Sequence, residues 1–240
     1  IVILSQTGNL YIYEMIQSFQ LKLCGRMEIS QLLAKGNRLR KYTPISLTVD
    51  PSDNSNIAVR IVEGPLLLLK LTSAKPFSLH IIGMVQTFPS SVKWFVSRGA
   101  IAVGVAEDGA VYVLHNGKIC RVYEHCKIAA HGVVWVNRLI GVFGVVSNEH
   151  TKSSKNRILL IDPLSGQQRD VIKCNNVYGV IKNVISNDEG TRIVVAYASG
   201  AEEIEVATRL VKRYIDKTVL SMVYVGPSIL VVQDKAERSE

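Results

Sequence analysis

Five side chains of the metal-binding type lie close together in the middle of the chain. His115, Cys120, His125, Cys126 and His131 fall within seventeen residues, and histidine and cysteine are the usual ligands of zinc. Their spacing matches no compact zinc pattern such as paired C-x-x-C knuckles. In a strand, alternation would also turn neighbouring side chains to opposite faces. We therefore interpret them as separate core and surface residues, and we expect neither a metal nor a cofactor.

Short catalytic motifs are missing from the chain. There is no G-x-S-x-G, no Walker-type Gly-Lys-Ser/Thr, no H-E-x-x-H and no G-x-G-x-x-G after a strand. Gly141 and Gly144 lie inside an apolar run, where glycine favours close packing between sheets over phosphate binding. Of three hypotheses about function, the weakest is a hydrolase or lyase whose site is assembled in a central channel of the fold, from residues far apart in the sequence. The sequence predicts a protein that is not an enzyme, with no catalytic residues and no small-molecule substrate.

Two segments concentrate positive charge in a chain whose net charge is +8. Such a charge permits binding to nucleic acid, acidic lipid or an acidic protein surface. Lys35–Tyr42 falls in a long interval, near residues 20–44, where we infer a basic insertion. Lys152–Arg157 lies between two predicted strands and is longer than a tight turn needs, so we expect an exposed loop. The predicted partner-binding residues are Lys35, Arg38, Arg40, Lys41, Lys152, Lys155 and Arg157.

The segment Ala201–Lys217 has two interpretations. Its acidic residues come early and its basic ones late, which suits an amphipathic helix. Alternatively, Glu203–Ala207 and Leu210–Ile215 form two strands, which the spacing of the surrounding strands favours. A nucleic-acid-binding rim would be formed by Lys35, Arg38, Arg40 and Lys41, joined by the basic residues of this segment, Arg209, Lys212 and Arg213.

A strand–turn–strand unit recurs along the chain. Its second strands centre near Ile12, Leu69, Val113, Leu160 and Ile204, at intervals of about 57, 44, 47 and 44 residues, whereas a four-stranded propeller blade takes ~40–45 residues. The first interval requires an insertion. The apolar runs are short, rich in Val and Ile, and bounded by Gly, Asn and Ser, which predicts buried strands and an all-β protein.

Turn residues occur where these units require the chain to reverse. The segments Asp50–Asn54, Glu107–Gly109 and Asn187–Gly190 supply Asp, Asn and Gly between apolar runs. These residue types tolerate positive φ and favour tight turns. Each segment therefore predicts a hairpin between two strands.

At these residues the chain resembles the WD-repeat β-propeller family. Val184–Ile193 resembles the first turn of that repeat, Ala106–Val113 the second, and Ile161–Gly166 the strand end, with Ile161 where the family usually has Trp. The resemblance extends over nearly the whole chain. It implies a propeller of four-stranded antiparallel blades, about five to six of them visible here and part of a larger ring. We expect residues 1–240 to be a single propeller domain and a fragment of a longer chain.

The resemblance implies a non-catalytic scaffold that holds other protein subunits within a large assembly. The alternative is a propeller that binds RNA or DNA through a basic rim, with nucleic acid a secondary partner. The four cysteines are scattered over different units without secretory features, which favours a reducing cytoplasmic or nuclear location. No apolar run approaches ~18 residues, so we expect no membrane span.

Overall fold

The computed structural model describes residues 2–5, 7–16, 21–29, 44–50, 53–61, 64–72, 75–85, 88–123, 128–148, 153–215, 219–225 and 228–233. The strands in these ranges are β1 (Val2–Leu4), β2 (Asn9–Met15), β3 (Leu21–Glu28), β4 (Pro44–Asp50), β5 (Asp53–Ile61), β6 (Leu66–Leu71), β7 (Leu79–Val85), β8 (Val92–Arg98), β9 (Ile101–Ala106), β10 (Val111–His115) and β11 (Lys118–Tyr123). They continue with β12 (Ile128–Val136), β13 (Leu139–Asn148), β14 (Ser153–Ile161), β15 (Gln168–Lys173), β16 (Ile181–Ser186), β17 (Arg192–Tyr197), β18 (Ala201–Glu205), β19 (Val211–Ile215), β20 (Val219–Val225) and β21 (Ser228–Gln233). Over the same ranges, no helix combines the length and the apolar character that crossing a bilayer would require.

The strands form antiparallel sheets in which neighbours along the chain are also neighbours in the sheet. Within the described ranges, β4–β7, β8–β11, β12–β15 and β16–β19 are four-stranded, β1–β3 is three-stranded and β20–β21 is two-stranded. A succession of four-stranded meanders is the blade pattern of a propeller. The predicted all-β fold class is confirmed.

The repeat predicted from the sequence matches these sheets. The predicted strand centres Leu69, Val113, Leu160 and Ile204 fall in β6, β10, β14 and β18, each the third strand of its four-stranded sheet. The long first interval contains residues 30–43, which lie outside the described part of the chain. The period of the repeat is therefore one sheet of four strands.

Two of the predicted turns are closed by specific hydrogen bonds. Gly109 has a φ of 79° and donates its N–H to the carbonyl of Ala106 at 2.9 Å. In the turn between β16 and β17, Gly190 has a φ of 71°, and the side chain of Asn187 accepts the N–H of Arg192 at 2.9 Å. The hairpins predicted at these two positions are confirmed. They form there because the residues permit positive φ and supply side-chain acceptors.

The described part of the segment Ala201–Lys217 forms two strands joined by a turn. β18 (Ala201–Glu205) and β19 (Val211–Ile215) pair as a hairpin, so the helical alternative is wrong and the two-strand alternative is confirmed, with the first strand two residues earlier than predicted. The charged side chains that suggested a helix alternate across a sheet instead.

The structure contradicts the loop predicted at Lys152–Arg157 over the part that it describes. Lys155 and Arg157 lie in β14, where they pair with Val146 and Gly144 of β13. The ladder between β13 and β14 continues to Asn148 and Ser153, so backbone pairing outweighs the polar composition that suggested a loop. Lys152 itself lies outside the described residues.

The chain divides into two compact units. The first comprises Ile1–Ser90, Phe95–Ala102 and Leu114–Ile119, and the second comprises Ser91–Trp94, Val103–Val113 and Cys120–Glu240. The prediction of one domain over residues 1–240 stays a prediction. In the first unit the core joins β2 to the β4–β7 sheet through Leu10, Ile12, Ile57, Val59, Ile61, Leu67, Leu69 and Leu79.

In the second unit, the β12–β15 and β16–β19 sheets pack face to face. Alternate residues of each strand supply the apolar contacts, as period-two side-chain geometry requires. This core contains Val134, Val136, Phe143, Ile158, Leu160, Ile172, Cys174, Ile181, Val184, Ile193, Val195, Tyr197 and Ile204. A second, smaller core packs the other face of the β16–β19 sheet on β20 and β21 through residues such as Val194, Ala196 and Met222.

Gly190 lies in a part of the second unit that has no room for a Cβ. A Cβ at Gly190 would lie 1.8 Å from the backbone nitrogen of Asn137, whereas a Cβ at Gly99 would meet nothing within 4 Å, although both glycines have positive φ. We expect Gly99→Ala to cost about 1–2 kcal/mol of unfolding free energy, the cost of positive φ alone. Gly190→Ala should cost more, because backbone atoms must also move. Urea unfolding of both variants measures this, and equal losses would contradict it.

Candidate partner-binding groove

A groove opens between two neighbouring sheets of the second unit. One wall comes from β15, an edge strand of the β12–β15 sheet, and the other from β18 and β19. Its volume is about 570 Å³, within the range of pockets that hold small ligands. The lining residues are Asp170, Val171, Ile172, Lys173, Cys174, Asn175, Glu202, Ile204, Arg209, Val211 and Tyr214. We call this the β15–β19 groove.

Strand pairing decides which side chains of β18 face the groove. Glu202 lies opposite Tyr214 of β19, and Ile204 lies opposite Val211. All four line the groove. Because successive side chains of a strand point to opposite faces, Glu203 points away from it. The charge of Glu202 is therefore presented on the groove side of the sheet.

The two adjacent carboxylates of β18 have different partners. Glu203 is 5% exposed and forms an ion pair with Arg192, at 3.4 Å between Nη1 and Oε1. The hydroxyl of Tyr224 also donates to Glu203, at 3.3 Å. Glu202 is 3% exposed, and no cationic side chain among the described residues lies within ion-pair distance of it. Glu202 thus has neutral hydrogen-bond donors where Glu203 has a counter-charge.

Neutral donors hold the Glu202 carboxylate in place. The hydroxyl of Tyr197 donates to Glu202 Oε1, and the backbone N–H of Asn175 approaches both Oε1, at 3.3 Å, and the Tyr197 hydroxyl oxygen, at 3.0 Å. A buried carboxylate is tolerated only when such bonds offset its lost hydration. The hydrogen bonds therefore fix one carboxylate oxygen beside the groove.

Burial keeps the two acidic neighbours of this carboxylate protonated. Burial, with the nearby Cys174 and Glu202, raises the pKa of Tyr197 far above its usual value. Burial, followed by the charge of Glu202, raises the pKa of the Cys174 thiol to about 12. The phenol therefore stays a hydrogen-bond donor at neutral pH, and the thiol is a poor nucleophile there.

Three tyrosine rings lie in a row beside Glu202. The ring centroids of Tyr178 and Tyr197 are 5.9 Å apart, and those of Tyr178 and Tyr214 are 6.4 Å apart. Both pairs are tilted, as aromatic rings prefer. Tyr197 is buried, whereas Tyr214 is 56% exposed. The row thus runs from the core to the mouth of the groove.

The predicted basic rim is partly neutralised by carboxylates. Arg209, in the left-handed conformation with a φ of 64°, forms an ion pair with Asp170 across the groove. A backbone hydrogen bond at Val171 and the bond from Arg209 lower the pKa of Asp170. Lys212 lies 3.5 Å from Glu205. The structure brings Arg209 and Lys212 to neighbouring positions, with carboxylate partners for both, and the side chain of Arg213 is outside the described part.

Of the remaining predicted binding residues, the two that the structure describes, Lys155 and Arg157, do not line this groove. Lys155 is exposed on β14, and Arg157, half-buried, donates to the backbone carbonyl of Asn156 at 2.7 Å. Lys35, Arg38, Arg40, Lys41 and Lys152 lie outside the described residues. Their role in partner binding stays a prediction.

The histidine and cysteine residues considered as zinc ligands have separate environments where they are described. His131 Nδ1 is 2.9 Å from the carbonyl oxygen of Ile181, and Cys120 is exposed. His125 and Cys126 lie outside the described residues. In the described ranges, no three His, Cys, Asp or Glu side chains are grouped so that they could hold a metal ion.

Repeated four-stranded antiparallel sheets place this chain in the β-propeller fold class, and WD-repeat propellers are among the similar solved structures. The structure of Sqt1 from Saccharomyces cerevisiae matches 97% of this chain and 78% of its own, with 12% identity and a TM-score of 0.54. A chain of the mitotic checkpoint complex matches 97% of this chain over 71% of its own length, with 10% identity and a TM-score of 0.57. BBS1N, in complex with ARL6DN, matches 95% of this chain over 70% of its own length, with 12% identity and a TM-score of 0.62. By sequence, neither a family profile nor a curated protein matches the chain.

Apart from Arg209, the residues that line the groove were not predicted from the sequence. Three of the five residues of β18 are Glu, and alternation must direct the adjacent Glu202 and Glu203 to opposite faces of a buried sheet, so the sequence did contain a signal for them. The roles of Asn175 and Tyr214 had no local signal. They meet Glu202 only through the pairing of β18 with β19 and the packing of two sheets.

The thiols provide a test of burial at the groove. At about pH 8, iodoacetamide should modify Cys120, which is exposed, and leave Cys174 unmodified, because Cys174 is buried and its raised pKa suppresses the thiolate. Mass spectrometry of the peptides after native labelling measures this. In denaturant both cysteines should react. Native labelling of Cys174 as fast as Cys120 would contradict the described burial.

Proposed function

We propose that this chain is a non-catalytic scaffold for protein–protein interactions within a multi-protein complex. The observation that carries the proposal is the β15–β19 groove, an open cleft whose mouth exposes apolar and aromatic side chains. The lining residues Val211 and Tyr214 are 37% and 56% exposed. Exposed apolar groups beside a cleft are typical of interaction sites.

The rigidity of the walls suits partner binding. Both walls belong to hydrogen-bonded sheets whose inner faces are packed in a common core. Binding residues held on a rigid scaffold lose little freedom when a partner docks. The groove therefore offers a preformed surface.

The chemistry of the groove argues against catalysis there. The Cys174 thiol and the Tyr197 phenol are both protonated at neutral pH because burial raises the pKa of each. An activated nucleophile of this kind needs a lowered pKa. The Tyr197 hydroxyl instead donates a hydrogen bond to the carboxylate of Glu202, and the Cys174 thiol donates to the backbone carbonyl of Ile172 at 3.7 Å.

The similar structures agree with a role in assemblies. Two of the three are structures of complexes, the mitotic checkpoint complex and BBS1N with ARL6DN. A cytoplasmic or nuclear location is part of the same proposal. It is supported by the free thiols of Cys24, Cys120 and Cys174 in the described part of the chain.

Affinity purification tests the scaffold proposal. The tagged protein, isolated from cells at moderate salt with and without nuclease, should retain a stoichiometric set of proteins under both conditions. Partners that disappear with nuclease would instead establish the nucleic-acid alternative, whose binding must also weaken steeply with salt. If no protein is retained, the proposal is wrong.

A pair of matched variants tests the groove within that experiment. Tyr214→Asp places a charge at the groove mouth, whereas Leu164→Asp does so at a comparably exposed position, 62%, in the turn after β14. We expect Tyr214→Asp to reduce partner recovery and Leu164→Asp to leave it unchanged. Both variants should keep the melting temperature within about 2 °C, because exposed sites contribute little to stability. Equal recovery with the two variants would remove the groove from the interface.

A further inference from the structure

We propose that the β15–β19 groove binds an arginine side chain of a partner protein, between the carboxylate of Glu202 and the ring of Tyr214. This inference rests on the proposed scaffold function and names the chemistry of the partner. It follows from the juxtaposition of a buried carboxylate and an exposed aromatic ring on opposite strands of one hairpin.

The charged side chains of the groove leave one carboxylate without a cationic partner. Asp170 and Arg209 neutralise one another across the groove. Lys173 is exposed and also lines the groove, but it lies outside ion-pair distance of Glu202. Glu202 is therefore the groove-lining carboxylate that has no cationic partner within ion-pair distance among the described residues. A cation that enters would gain an ion pair without displacing an existing one.

An aromatic ring lies beside this carboxylate. A cation within about 6 Å of a tyrosine ring is attracted by its π-electrons. Tyr214 lies directly opposite Glu202 in the β18–β19 pairing. Its ring is half exposed and packs at a tilt on the ring of Tyr178, with the ring centroids 6.4 Å apart. A planar guanidinium group can stack on such a ring and bond a carboxylate at the same time, which an ammonium group does less well.

The entrance of the groove suits a long basic side chain. Val211, a lining residue that is exposed, offers apolar surface for the methylene stem of such a side chain. The groove volume of about 570 Å³ exceeds what one side chain needs, so neighbouring residues of a partner segment also have room. These features favour an arginine within a polypeptide over a small cation alone.

An NMR titration of the 240-residue chain tests the proposal with two small probes. N-acetyl-arginine amide carries the guanidinium group, and N-acetyl-citrulline amide is its neutral isostere. We expect saturable amide shifts at Asn175, Glu202 and Tyr214 with the arginine probe only. Shifts of equal size with both probes, or none in the groove with the arginine probe, would overturn the proposal.

Variants identify the groups responsible. Glu202→Gln keeps the acceptor for Tyr197 but removes the charge, so the affinity for the arginine probe should fall about tenfold or more. Glu203→Gln makes the same change on the opposite face of β18 and should leave the affinity unchanged. Tyr214→Ala should weaken binding about two- to fivefold, whereas Tyr214→Phe, which keeps the ring, should not.

The outcomes separate this inference from the scaffold proposal. If Glu202→Gln does not fold, the exposed Tyr214 variants still decide, because equal binding by Tyr214→Ala and the parent chain overturns the inference. Retention of partners in the affinity purification without any response to the arginine probe would leave the scaffold and remove the arginine. Absence of partners would remove the scaffold whatever the probe does.

Discussion

The second unit depends on the face-to-face packing of the β12–β15 and β16–β19 sheets. Ile158, Leu160, Ile193 and Val195 are buried between them, with at most 3% of each side chain exposed. Each such side chain contributes about 1.5–3 kcal/mol relative to an exposed position. The packing works only if every strand keeps its register, because a shift of one residue would turn these side chains to the wrong face. Register in the strands therefore governs both the core and the groove beside it.

The groove lies where the same packed face becomes polar. Tyr197 belongs to both regions: its ring is in the apolar core, and its hydroxyl bonds Glu202. A buried carboxylate is costly, and apolar replacements of buried charges are often neutral or stabilising. Stability alone therefore gives no reason for Glu202 to occupy a core-facing position. Its position at the wall of an open groove, next to an exposed tyrosine, is the reason for which we propose a binding role.

Much of the fold could be predicted because local residue types specify its strands and turns. Short β-branched runs and turns such as Glu107–Gly109 and Asn187–Gly190 specify hairpins through positive φ and side-chain acceptors, without help from distant residues. The prediction failed at Lys152–Arg157, where polar composition suggested a loop. There, the backbone of β14 pairs with that of β13, and this pairing outweighs the polar composition of the segment. The helix-or-strand choice at Ala201–Lys217 was likewise settled by the neighbouring strand β17, with which β18 pairs.

The sequence by itself determined the period of the repeat, the positions of two of its turns and the alternation that sends Glu202 and Glu203 to opposite faces. These properties depend on residues that are close in the chain. Only the tertiary structure decided that Asn175, Tyr197 and Tyr214 surround Glu202, that Asp170 neutralises Arg209, and that a groove remains open beside them. Those contacts join residues up to 39 positions apart. They arise from the packing of two sheets, which no local pattern encodes.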